Sequence, residues 1–227
     1  MISTDANEKK VLIIGCGIGG PAVALFLKRA GFDPVIYEAE SEPDDYAGLF
    51  MNLARNGLRV LRELQLHRPI MENGIELQLM NMYNGSGKLL GTVGERSGEP
   101  QGYTVKRGYL HQVLREEALR RGIPIEYGKK LKQIKNSGDQ EVTALFEDGS
   151  AAVGQWLIGC DGIHSKTRNL LFPGAPSPAY TGLLSYGGFV SGKGIPRKPG
   201  VQTMIFGKKA FSVIWSRKMA RCTGSAI

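Results

Sequence analysis

The first apolar block of the chain is short and ends on glycines. Lys9–Ile14 reads as a strand, and it enters Gly15-Cys16-Gly17-Ile18-Gly19-Gly20. Ala22–Ala30 follows with apolar residues at helical spacing and stops at Gly31, so the pattern predicts strand, glycine turn, helix. Pro21 would break a helix interior, but in the first turn its missing N–H costs nothing. Lys28 and Arg29 fall in the last turn, where cations complement the helix dipole. Pro34–Glu38 is a second strand and completes a βαβ unit.

Further along, Leu58, Val60, Leu61 and Leu64 give Asn56–Leu66 a helical period. Ile75–Tyr83 and Lys88–Val93 read as a strand pair around Asn84-Gly85-Ser86-Gly87. A second strong helix is predicted over Gly108–Arg121, then strands at Pro124–Tyr127, Lys130–Lys135, Val142–Phe146 and Trp156–Cys160. Pro173-Gly174-Ala175-Pro176 predicts a domain boundary, with one domain over residues 1–176 and a second beginning at 177–227. Thr181–Val190, Val201–Phe206 and Phe211–Trp215 read as strands of a new sheet that has no room to finish. The expectation is that Val201–Phe206 and Phe211–Trp215 lack partners and that this exposed apolar edge drives self-association. Ser216–Ile227 is basic, small and without apolar periodicity, which predicts a tail.

Composition narrows the function classes. With 227 residues and 42% hydrophobic content, the chain can bury one full domain plus part of a second. The longest apolar run, Ala22–Leu27, is far short of the ~20 residues of a membrane span, and Met1–Lys10 lacks a signal peptide's apolar centre. No membrane span and a cytoplasmic location are therefore expected. The net charge of +8 is scattered along the chain instead of forming a run, which argues against nucleic acid and suits a phosphate-bearing cofactor. Cys16, Cys160 and Cys222 match no disulfide framework or metal spacing, and His67, His111 and His164 share no ligand spacing. No metal site is expected, and each histidine is given a surface or capping role.

Gly15, Gly17 and Gly20 carry the chemistry. In a G-x-G-x-x-G turn the first glycine permits the tight bend, the second lets the backbone approach a pyrophosphate, and the third allows close helix–strand packing. Glu38, at the end of the next strand, is placed to accept hydrogen bonds from ribose hydroxyls. The chain is read as binding a dinucleotide here, but these residues alone do not separate NAD from FAD.

A second segment bears on that choice. The run Asp161-Gly162-x-x-Ser165-x-x-Arg168 resembles the Asp-Gly motif of the FAD-dependent monooxygenases, the aromatic-hydroxylase group typified by para-hydroxybenzoate hydroxylase and the tetracycline-inactivating enzymes. In that family the segment lies beside the FAD pyrophosphate, so the resemblance implies a cofactor role for Asp161; a simple β-turn capped by Ser165 is the alternative. Arg107-Gly108-Tyr109-Leu110-His111-Gln112-Val113-Leu114 resembles the family's R-x-x-L-x-x-x-L segment, whose arginine contacts FAD. A cation at a helix start also opposes the dipole unless an anion lies nearby. Gly48 and Asn52 fall where the family's chain passes the flavin ring.

The resemblance implies an α/β fold: an FAD/NAD(P)-binding, Rossmann-like three-layer domain with part of a mixed, β-rich substrate domain. It implies FAD as cofactor, NAD(P)H as reductant, molecular oxygen, and an aromatic or polycyclic small-molecule substrate hydroxylated through a flavin C4a-hydroperoxide. The family's downstream Gly-Asp motif has no counterpart, the only Gly-Asp pair being Gly138-Asp139 among polar residues. A halogenase, epoxidase or prenyl-chain reductase of the same fold, an NAD-dependent dehydrogenase, and a non-catalytic dinucleotide-binding remnant stay open at this point.

Overall fold

The computed structural model describes residues 9–44, 48–94, 100–136, 141–187 and 198–215. The chain opens with β1 (Lys10–Ile14), α1 (Gly19–Arg29) and β2 (Asp33–Tyr37). Then come β3 (Phe50–Ala54), α2 (Arg55–Glu63), α3 (His67–Asn73), β4 (Ile75–Leu77), β5 (Leu79–Asn84), β6 (Leu89–Gly94) and β7 (Gly102–Lys106). Helix α4 (Arg107–Arg120) leads to β8 (Ile125–Glu126), β9 (Leu131–Asn136), β10 (Val142–Phe146), β11 (Ala151–Gly154), β12 (Trp156–Gly159) and α5 (Lys166–Leu171). The last strands are β13 (Val201–Phe206) and β14 (Phe211–Ile214). The chain divides into two units, one of Met1–Ala47 with Gly108–Tyr186, the other of Gly48–Arg107 with Gly187–Ile227.

The first unit is built on a parallel sheet in the order β12-β1-β2-β8. Strand β1 has neighbours on both sides, and its Val11, Leu12, Ile13 and Ile14 are all buried, as a parallel strand covered on both faces requires. Successive side chains take opposite faces. Leu12 and Ile14 join Tyr37 against Leu131, Val142, Ala144, Phe146 and Ala152, so one face is covered by the antiparallel sheet β11-β10-β9. Tyr37 stacks on Phe146 at 5.0 Å within that layer. Ile13 faces the other way, close to Gly20 at the start of α1, whose Ala24 and Leu25 are fully buried. Burying a side chain such as Leu12, Ile13 or Leu25 contributes about 1.5–3 kcal/mol each. Helix, parallel sheet and antiparallel sheet make the three-layer α/β arrangement expected from the sequence.

Register places the site. Ile14 pairs with Tyr37 on one side and with Gly159 on the other, so β1, β2 and β12 end level. Strand β1 is flanked on one side by β2, the next strand in sequence, and on the other by β12 from much later in the chain, and ligands of open α/β sheets bind outside the carboxyl ends of the strands at such a switch point.

The second unit holds two sheets, β3-β7-β4 and β14-β13-β5-β6. Here the sequence expectation is corrected, because Val201–Phe206 does not lack partners. Strand β13 lies between β14 and β5, with Val201 opposite Leu79 through Phe206 opposite Asn84 in parallel register. Its backbone donors and acceptors are satisfied by a strand from much earlier in the chain, a pairing that local pattern does not reveal. The predicted strand Ile75–Tyr83 is broken at Gln78, whose N–H donates to the Gly200 carbonyl, and its halves serve different sheets. Of the expected strand Thr181–Val190, residues 181–187 form none, and Leu183, Leu184 and Tyr186 are exposed; 188–190 lie outside the described residues. Gly138-Asp139, Cys222 and the Ser216–Ile227 tail also lie outside them.

Candidate dinucleotide site

The three motif glycines of the turn, Gly15, Gly17 and Gly20, differ in what surrounds them. Gly15 has φ +104°, and a side chain there would put its Cβ 2.5 Å from the Cys160 carbonyl oxygen. A Cβ on Gly20 would run into the Gly15 carbonyl oxygen. Both glycines are therefore demanded by the protein's own packing. Gly17 is the exception, since a Cβ there would meet nothing within 4 Å. Behind the turn α1 begins without a side-chain cap on Ile18 and without an acidic residue in its first turn.

Glu38 follows β2 directly and reaches back to the turn. Its carboxylate accepts from the Cys16 N–H at 2.6 Å and from the Glu40 N–H at 3.0 Å. A carboxylate has about four acceptor positions, so two backbone donors leave capacity for hydroxyl groups.

Cys16, between the first two glycines, is held from several directions. The His111 Nε2 of α4 lies 2.6 Å from the Cys16 carbonyl oxygen, while Tyr127 and Arg115 act electrostatically on the Cys16 thiol. Burial, with Glu38 adding to it, pushes the thiol up to about 12 against the opposing pull of Arg115 and Tyr127. Burial and the Asp161 carboxylate push the Cys160 thiol up as well. Burial thus works against the reactive thiolate form of both cysteines. The surface or capping role expected for His111 is corrected here: it is half-buried against the glycine turn. The signal was the spacing Arg107, His111, Arg115, which puts three polar residues on one helical face.

Asp161 follows β12 beside Gly15, so the structure brings the glycine turn, Glu38 and the Asp161 segment to one end of the sheet. Its carboxylate is turned on its own segment. It accepts from the Ser165 hydroxyl at 2.5 Å, the Thr167 N–H at 2.9 Å and the Thr167 hydroxyl at 3.0 Å. Ser165 in turn caps α5 by accepting from the Arg168 N–H at 2.9 Å. Burial pushes the Asp161 carboxyl up, but these hydrogen bonds outweigh it and hold the group below its ordinary value.

Arg107 opens α4 as expected and is the last residue of the second unit, with no acidic residue in the helix's first turn. Within that unit its side chain lies across Gly48, where a Cβ would stand 3.0 Å from the Arg107 Cδ. The Asn52 side chain accepts from the Thr104 hydroxyl at 2.6 Å. A cavity of about 460 Å³ beside the edge strand β12 is lined by Leu27, Phe32, Trp156, Leu157 and other apolar residues. It shares no lining residue with the glycine turn, Glu38 or Asp161 and presents no titratable group. Among the described residues no group of His, Cys, Asp and Glu could hold a metal ion, and no helix is long and apolar enough to cross a membrane.

A family model described as "FAD binding domain" matches residues 8–178. The chain is 30% identical over 194 residues to the FAD-dependent urate hydroxylase of Mycolicibacterium vanbaalenii, covering 80% of this chain and 47% of that protein. It is 32% identical over 174 residues to the FAD-dependent monooxygenase cctM of Talaromyces islandicus, covering 73% and 42%. Klebsiella pneumoniae HpxO complexed with FAD and uric acid matches with a TM-score of 0.72 at 26% identity, over 91% of this chain and 52% of that one. The structure of CtdE in complex with FAD agrees in fold, with a TM-score of 0.73 at 21% identity over 91% and 55%. The chain spans about half the length of the curated relatives it matches. With most of its residues inside that one match, the chain belongs to the FAD-binding domain family of the aromatic-ring hydroxylase type of flavoprotein monooxygenase.

Proposed function

We propose that this chain binds FAD at the glycine turn and forms the cofactor-binding portion of an NAD(P)H-dependent monooxygenase acting on an aromatic or polycyclic small molecule. The observation that carries the reading is the contrast among the glycines. Gly15 and Gly20 are required by contacts inside the protein, whereas Gly17 faces open space, so its missing side chain serves a group that comes from outside. In this reading Gly15, Gly17 and Gly20 shape the pyrophosphate cradle at the start of α1, and Glu38 holds the adenosine ribose with its remaining lone pairs. Arg107 supplies a cation to the cofactor. Asp161 acts by ordering the segment that abuts Gly15. In this reading residues 1–176 are the FAD-binding domain with Gly48–Arg107 as a β-rich insertion, which groups with Gly187–Ile227 in the second unit, and 177–227 begin the substrate portion; the family match ending at 178 supports the boundary.

FAD, when bound, supplies the redox and oxygen-transfer chemistry; the protein's part is to bind, orient and exclude water. The reductant in this proposal is NAD(P)H, the co-substrate is molecular oxygen, and the setting is cytoplasmic. A small ring substrate is supported by the relatives, one named a urate hydroxylase and one solved with uric acid. Self-association is part of the same proposal, now through the exposed Leu89, Leu90 and Val93 of the edge strand β6, and light scattering on the purified chain reads it directly. The test of the function is the visible spectrum of the purified chain, with the released cofactor identified by mass. Bound FAD is the expected result, and a colourless protein that takes up no added FAD would refute the reading.

A further inference from the structure

The peptide group joining Cys16 to Gly17 is held at its carbonyl. The His111 Nε2 lies 2.6 Å from the Cys16 oxygen, and a carbonyl only accepts, so Nε2 carries the proton and donates. No peptide bond among the described residues is cis. In a planar trans peptide the C=O and N–H point in opposite directions. Fixing the Cys16 carbonyl toward α4 therefore fixes the Gly17 N–H on the far side, away from His111. At Gly17 nothing stands within 4 Å of where a Cβ would be, and among the described residues no acceptor takes the Gly17 N–H. The other half of Cys16 is held too, its N–H by Glu38 at 2.6 Å. Two side chains from elements far apart in sequence thus clamp one residue of the turn.

We infer that His111 is a positioning residue for cofactor binding: its hydrogen bond to the Cys16 carbonyl aims the Gly17 N–H outward, as a preformed donor for an anionic group. Arg115, one helical turn further on, lies on the same face of α4, and it and Tyr127 both act electrostatically on the Cys16 thiol. Without His111 the Cys16–Gly17 peptide can rotate, and orienting the donor then falls to the ligand. The anion meant is the pyrophosphate of FAD, so this inference rests on the reading proposed above.

The experiment compares the chain with His111→Ala, His111→Leu and His111→Gln, since a glutamine amide can return a donor near the position of Nε2. FAD affinity is measured by titration, and exchange of the Cys16 amide is followed in the ligand-free, isotope-labelled proteins. The Ala and Leu variants are expected to weaken FAD about tenfold, the size of one lost hydrogen bond, and Gln to recover to within about threefold. Cys16 amide exchange should quicken in Ala and Leu and return toward the wild-type rate in Gln. Unchanged affinity in His111→Ala, or a Gln variant as weak as Leu, would overturn the inference. If the wild-type chain itself takes up no FAD, the functional reading fails, and the clamp is then judged on amide exchange alone, where equal rates in all four proteins refute it.

Discussion

Two neighbouring strands of the same sheet, β1 and β12, each end in a turn that opens a helix, and the turns use their backbone donors in opposite ways. After β12, Asp161 and Ser165 turn inward and satisfy the N–H groups of Thr167 and Arg168, so the start of α5 is closed by its own side chains. After β1 the equivalent stretch is glycine-rich, Ile18 offers no cap, and the first turn of α1 has no acid. Side chains of the turn itself take the donors after β12, whereas after β1 the one side chain that takes a donor is Glu38, which comes from the end of β2 and holds the Cys16 N–H. In the proposed reading an external anion sits beside the turn that lacks polar side chains of its own. It also separates two residues of the same motif set, with Glu38 retaining acceptor capacity for a ligand and Asp161 spending its carboxylate on the fold.

The comparison breaks most visibly at Gly20. A valine there drives its Cβ into the Gly15 carbonyl, a backbone atom that cannot swing aside, and should cost at least about 3 kcal/mol of stability. Chemical denaturation reads this directly; a Gly20→Val protein as stable as the wild type would mean that the close packing of α1 on β1 is not required. Glu38→Ala is next, with FAD binding weakened by about 1.5–3 kcal/mol as charge-assisted hydrogen bonds are lost. The flavin absorption should stay the same, and a changed spectrum at unchanged affinity would place Glu38 near the ring instead of the ribose.

Asp161→Asn sharpens the contrast from the other side, with about 1–2 kcal/mol lost at neutral pH and FAD affinity within about twofold. The sign of its pH dependence follows from the lowered carboxyl. Such a group contributes stability in full above its unfolded value of about 3.9, and loses it as pH falls through the lower folded value. Acid titration of stability should therefore show a component that Asp161→Asn lacks. A variant with wild-type acid sensitivity but much weaker FAD binding would make Asp161 a ligand contact.

Much of this was legible because the βαβ unit is local. Strand, turn, helix and Glu38 lie within residues 10–38, and the apolar pattern with its glycines is enough to order them. Helix α4 was likewise readable from its own period, to within a residue at each end. What escaped depends on residues distant in sequence. His111 and Cys16 are 95 positions apart, and helical spacing shows that Arg107, His111 and Arg115 share a face without showing what that face meets. The pairing of β13 with β5 escaped for the same reason, and so did the break at Gln78, whose N–H donates to Gly200 from far along the chain. The Asp161 motif was visible, but whether its carboxylate faces a ligand or its own helix is a matter of side-chain direction that spacing leaves undetermined.

The open side of Gly17 is the centre of the account, and one paired measurement tests it: FAD titrated into the wild-type chain and into Gly17→Val, with thermal unfolding of both recorded without ligand. Since a Cβ at Gly17 meets nothing of the protein within 4 Å and the residue needs no positive φ, the variant should unfold at nearly the wild-type temperature. It should nonetheless lose FAD, because the added methyl groups fill the space the pyrophosphate would enter. A folded Gly17→Val that binds FAD as tightly as the wild type would contradict the assignment of the cofactor to this turn.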